Sequence, residues 1–143
     1  MPHREKVAWL SLIAMAVTYG PYFTVAALTS PATEALPNLR QLGLFAVTSV
    51  AQMLILGAGH LFFRIRFPED ARAPVDERDR AITRRSISVA YYVLIAGMIV
   101  VGCVMPFSRG GWAIINAALA MIVAAELVHY GMVVLGYRRG WHD

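Results

Sequence analysis

The chain is expected to fold as an all-α integral membrane four-helix bundle, with both ends in the cytoplasm and the third helix extended into it. Three observations predict this. Four stretches, Val7–Thr29, Gln41–Phe63, Ile87–Met105 and Trp112–Tyr137, are almost free of charge. Each runs about 20 residues, enough to cross a bilayer core as a helix. If every run crosses once, eleven of the thirteen basic residues fall on one side and only Arg40 and Arg109 on the other. Short cytoplasmic segments hold Lys and Arg back, so the asymmetry predicts an N-in, C-in topology. Finally, 58% apolar residues, 15% charged residues and a mean hydropathy of +0.56 leave too few polar groups to cover a soluble domain.

Span one follows a basic start, Met1-Pro2-His3-Arg4-Glu5-Lys6. Its apolar run exceeds the roughly 7–15 residues of a secretion-signal core, so it is read as a retained span. Ser11, Thr18, Tyr22 and Thr29 share one helix face, beside a kink expected at Gly20-Pro21. A short outer connection with Pro31 and Pro37 leads to span two, where Thr48, Ser49, Gln52, Gly59 and His60 cluster on one face. Such stripes serve as interhelical hydrogen-bonding surfaces in membranes.

The central loop, 64–86, is the main cytoplasmic surface. Pro68 ends the segment leaving span two, and Pro74 followed by Asp76, Glu77 and Asp79 predicts a helix start near Val75. That helix continues into span three, with Asp76 and Arg80 in i,i+4 register. Cys103 is the single cysteine, so no intramolecular disulfide forms, and it is read as a packing residue. Pro106–Gly111 makes a tight outer turn into span four. Trp9, Phe62, Phe63, Phe67, Tyr137 and Trp141 are expected at the inner interface, and Phe107 and Trp112 at the outer one.

Span four carries the chain's most unusual residue, Glu126, the only acid in any span. An ionised carboxylate at mid-depth costs at least about 2.5–3.5 kcal/mol. No basic partner lies at that depth, so Glu126 is expected to be protonated or hydrogen-bonded to neutral groups such as Gln52, Thr18 or Tyr19. His129 lies three residues on, on the same face. The Glu126-x-x-His129 spacing is one that di-metal bundles use, but the second such pair is missing. A single metal held by His60, Glu126 and His129, or a haem between the two histidines, is the least favoured alternative. His60 lies about four residues from the inner boundary and His129 about nine, a depth offset of roughly 7 Å. Opposite Glu126, the residues Ala113, Ala117, Ala120, Ala124 and Gly131 form a small-residue stripe. Span four therefore wants protein on two sides, through either a central position or a homodimer along Ala113, Ala117, Ala120 and Ala124.

The pI near 9.6 is accounted for by arginines facing anionic headgroups, so membrane lipid is an expected partner and nucleic acid is not. No phosphate-binding glycine loop, Gly-x-Ser-x-Gly elbow, Cys-x-x-Cys or His-Glu-x-x-His occurs. The chain is therefore read as a non-enzyme, with no catalytic residue and no cofactor assigned.

The segment Asp76-Glu77-Arg78-Asp79-Arg80-Ala81-Ile82 leading into a span resembles the cytoplasmic Asp-Glu-Arg motif of a family of small four-span bacterial membrane proteins of unknown function. Members are often encoded beside helix-turn-helix repressors. The resemblance implies a multi-pass protein of the bacterial inner membrane that partners a cytoplasmic regulator. The leading expectation is a membrane sensor. Its Tyr22, Gln52, His60, Glu126 and His129 region would receive a lipophilic ligand or proton, and Asp76, Glu77, Arg78, Asp79 and Arg80 would dock the partner. The runner-up is a small proton-coupled transporter with Glu126 as the coupling carboxylate.

Overall fold

The computed structural model describes residues 2–29, 38–69 and 74–139. The outer connection with Pro31 and Pro37, Arg72 of the central loop, and Trp141 lie outside the described residues. Four long helices account for nearly all of the rest: α1 His3–Thr29, α2 Leu39–Arg66, α3 Glu77–Ile99 and α4 Trp112–Arg139. No strand occurs among the described residues. All four helices are long and apolar enough to cross a membrane, the signature of a multi-pass membrane protein.

Each helix boundary has a local cause. α1 runs unbroken through Gly20-Pro21, and beyond the proline Thr24 Oγ1 donates to the Gly20 carbonyl at 2.8 Å. Asn38 caps α2, its Oδ1 accepting the Gln41 N–H at 3.1 Å. Asp76 caps α3 in the same way, accepting the Asp79 N–H at 2.7 Å from extended backbone. The helix thus starts at Glu77, two residues later than Val75, and Pro74 stands outside it. Asp76 spends its carboxylate on the cap, and no ion pair with Arg80 forms in spite of the i,i+4 register.

The far end of α3 is set by Pro106, which has no N–H to give and whose ring obstructs the carbonyl four residues back. The backbone widens into a π-helical segment over Val100–Val104, with the Met105 N–H reaching Val100 O, and closes in a 3-10 turn over Met105–Phe107. Gly111, at φ 57°, then turns the chain into α4. This is the single positive φ among the described residues, a conformation that glycine adopts without steric cost.

The helices pack in the order α2, α1, α4, α3: α1 lies against α2 on one side and α4 on the other, and α3 lies chiefly on α4. α4 therefore takes a central position beside α1, one of the two arrangements expected from its paired faces. The interior is built from small residues, with Ala8, Ser11, Ala14, Ala26, Ser86, Ala90 and Ala125 all buried. Ser11 and Ser86 are almost fully enclosed, and each donates to a carbonyl of its own helix, Val7 at 3.0 Å and Thr83 at 2.8 Å. Close backbone approach is the main way membrane helices gain packing energy, since lipid is as apolar as leucine. Many large apolar side chains point outward: Leu28 is 82% exposed, Met53 72% and Phe107 91%. Trp112, the first residue of α4, is packed against the other helices at that end and is only 4% exposed.

Gly136 shows how tight the α3–α4 contact is. A Cβ there would sit 2.8 Å from Cγ2 and 3.1 Å from Cγ1 of Ile82, a β-branched side chain with little freedom to move. Gly136→Ala is expected to destabilise the fold by about 1–3 kcal/mol through overpacking. Thermal unfolding in detergent would read this, and an unchanged midpoint would rule out the close approach.

Candidate functional site

The polar residues within the helices separate into three places. The first joins α1, α2 and α4. Tyr22 Oη donates to Asn116 Oδ1 at 2.9 Å, and Asn116 Nδ2 donates to Gln41 Oε1 at 3.1 Å. Deeper between α1 and α2, Thr18 Oγ1 lies 2.8 Å from Gln52 Oε1 and 2.9 Å from Ala14 O. One hydroxyl proton cannot serve two acceptors. Both contacts are met when the Gln52 amide turns its Nε2, otherwise buried without a partner, toward the hydroxyl. Tyr19 Oη donates to Ser49 Oγ at 3.2 Å alongside. The chain of hydroxyls and amides ties three helices together.

Glu126 and His129 are elsewhere. They line a groove of about 270 Å³ between α3 and α4, together with Ile87, Ala90, Tyr91, Leu94, Ala125 and Tyr130. The groove is open along its side. Glu126 is exposed there, and no hydrogen bond or ion pair reaches its carboxylate among the described residues. The expected contacts with Gln52, Thr18 or Tyr19 do not form, because those side chains serve the α1–α2 contact on other faces. His129 Nδ1 is buried without a hydrogen-bond partner, its ring against that of Tyr130 with centroids 4.9 Å apart. Two unpartnered titratable side chains, one turn apart, thus face one lateral groove.

His60 occupies a third place, exposed on α2, with Nδ1 2.8 Å from its own helix's Leu56 O. α2 packs on α1 and makes no extensive contact with α3 or α4. Tyr22, Gln52, His60, Glu126 and His129 therefore do not form one region. Among the described residues no group of three or more His, Cys, Asp or Glu side chains is arranged to hold a metal ion, so the His60, Glu126 and His129 set is not assembled.

The Asp-Glu-Arg segment is engaged within the chain. Arg4 at the start of α1, the first turn of α3 and the last turn of α4 meet at one end of the molecule. Asp79 Oδ1 accepts the Tyr137 hydroxyl, and Asp79 Oδ2 lies 3.6 Å from Arg4 Nε. Arg78 donates to the Tyr137 carbonyl at 3.3 Å with its guanidinium 5.9 Å from that ring's centroid. Arg138 pairs with buried Glu5 at 3.5 Å and lies over Trp9 at 5.2 Å. Beneath this polar layer sit Ala8, Ile82, Val133 and Val134, the apolar core of that end. Asp76, Arg78 and Asp79 are spent on capping and clasping, while Glu77 and Arg80 point outward without ion pairs among the described residues. The sequence does not single out Asn116 or Glu5, and it places Tyr137 at the inner interface without its bond to Asp79. Asn116 is a lone amide in an alanine-rich run and carries the same signal as Gln52, whereas the role of Tyr137 depends on a contact 58 residues away.

Searches of family models, curated proteins and solved structures return no match to this chain.

Proposed function

We propose that the chain is a non-enzymatic membrane sensor of the bacterial inner membrane that works through a soluble cytoplasmic regulator. The observation that carries this reading is that one helix pair bears both parts. The Glu126–His129 groove lies between α3 and α4, and the Asp76–Arg80 segment is the first turn of α3, clasped to the end of α4 through Asp79 and Tyr137. A proton or lipophilic ligand entering the groove would act on the seating of α3 against α4, and with it on the face presented by Glu77 and Arg80. Such coupling requires that the ligand prefer one seating over the other. The N-in, C-in topology belongs to this proposal. It is supported by ten of the twelve described basic residues lying toward the end where the start of α1, the end of α2, the start of α3 and the end of α4 meet.

Arg78 donates to the Tyr137 carbonyl, so its reversal would disturb the α3–α4 contact, and the informative charge reversal is at exposed Arg80. A photo-crosslinking residue at position 77 is expected to capture a soluble DNA-binding regulator in cells, and one at exposed Leu28 of the opposite end is not. Arg80→Glu, made in the protein that carries the crosslinker at position 77, should abolish that capture and leave insertion intact, since the remaining basic residues still hold orientation. Capture that survives the reversal, or that occurs equally at position 28, would refute the docking surface.

The transporter reading is favoured by one observation, the unpartnered carboxylate of Glu126 in a laterally open groove. Membrane-embedded carboxylates of that kind mark proton pathways.

A further inference from the structure

On α3, Arg80, Arg84, Ile87, Tyr91 and Leu94 succeed one another at steps of three and four residues and form a single stripe. Its chemistry changes along its length, from two arginines to three large side chains that are mostly apolar. Two recesses meet on this stripe and share Ile87. One, of about 390 Å³, is lined by Arg4, Arg80, Thr83, Arg84, Ile87 and Ser88; the other is the α3–α4 groove that ends at Glu126. From Arg84 to Leu94 the combined surface follows roughly 15 Å of helix axis.

The basic recess has an uncompensated charge. Arg80 and Arg84 are exposed i,i+4 neighbours of like sign, a mildly destabilising arrangement, and neither forms an ion pair among the described residues. Asp79 is turned to Arg4 and Tyr137. Arg4 supplies a third guanidinium from α1, and the half-buried Thr83 hydroxyl donates to nothing among the described residues. Arg4 is shared with Asp79, and Arg80 and Arg84 have no acceptor among the described residues, so the recess offers donors in excess.

We propose that this continuous surface binds one anionic phospholipid, its headgroup phosphate held by Arg4, Arg80 and Arg84 and an acyl chain laid along Ile87, Tyr91 and Leu94 toward Glu126. Planar guanidinium forks match phosphate oxygens, and basic pockets between membrane helices recognise anionic headgroups. The apolar continuation beyond Ile87 selects a lipid over a free anion, which would have no use for it. The site shares Arg80 with the proposed docking segment, while Arg4, Arg84 and Ile87 lie outside it, and the lipid test below contains no regulator, so its outcome does not depend on the docking reading. A bound acyl chain would cover the Glu126 groove, so lipid and any other entrant compete there.

The test is native mass spectrometry of the full chain in mild detergent with phosphatidylglycerol, phosphatidylcholine or inorganic phosphate added. One phosphatidylglycerol is expected to be retained at least about tenfold more strongly than phosphatidylcholine, and excess inorganic phosphate should not displace it. Arg80→Gln with Arg84→Gln should weaken retention about thirtyfold, the combined effect of two guanidinium–headgroup attractions. Ile87→Trp, which keeps every charge but fills the junction of the two recesses, should weaken it as well. Equal retention of the two lipids, unchanged retention in the arginine variant at wild-type helix content, or displacement by phosphate alone would each overturn the proposal. The last of these would mark a free-anion site.

Discussion

Asp79→Ala is expected to lower the unfolding free energy by about 2–3 kcal/mol in detergent. The carboxylate joins three helices: it accepts the Tyr137 hydroxyl of α4, pairs with Arg4 of α1 and belongs to the first turn of α3. Removing it leaves a half-buried phenol donor without its acceptor, which costs roughly 1–3 kcal/mol. The Arg4 contact adds no more than about 1 kcal/mol, because at 3.6 Å the two side chains are 39% and 19% exposed and solvent screens them. The cap is unaffected, since Asp76 binds the Asp79 backbone N–H and not its side chain.

Two further variants separate the parts. Asp79→Asn keeps an oxygen for Tyr137 and should cost only about 1 kcal/mol. Tyr137→Phe removes the donor along with its need, so the double variant with Asp79→Ala should cost less than the two singles added. A loss below about 0.5 kcal/mol for Asp79→Ala would place the clasp among ordinary surface contacts.

The four helices and the sorting of basic residues to one end were legible because both are local properties. An apolar run has a length, and an arginine has a position relative to it. The α3 start was nearly legible for the same reason, and the two-residue error came from weighing Pro74 above the cap that Asp76 forms. Side-chain partners were not legible. Periodicity places Tyr22, Gln52, Glu126 and His129 on faces of their own helices but does not say which helix each face meets. That depends on the order α2, α1, α4, α3, which the small residues of α4 permit without dictating. An acid in hydrocarbon calls for protonation or for hydrogen bonds to neutral groups, and Gln52, Thr18 and Tyr19 are candidates by sequence. In the structure, Thr18, Gln52, Tyr19 and Ser49 satisfy one another, and the acid opens on a groove.

Glu126→Gln is the substitution that separates the two functional readings, and it should do so without disturbing the fold. No partner reaches the carboxylate among the described residues, so an amide of the same shape has no contact to lose, and unfolding should shift by less than about 0.5 kcal/mol. In the sensor reading, reconstituted wild type carries no proton-coupled flux of lipophilic cations above that of empty vesicles. Glu126→Gln then changes capture of the regulator at position 77, because it removes the titratable group that biases α3 against α4. In the transporter reading, wild type carries such flux, Glu126→Gln eliminates it, and capture at position 77 is indifferent to the substitution. The expected result is the first: no flux in either protein and altered capture in the variant. Flux that disappears with the carboxylate would make Glu126 a coupling residue and overturn the sensor. If Glu126→Gln alters neither quantity, the groove has no part in signalling or transport, and both readings lose the site on which they rest.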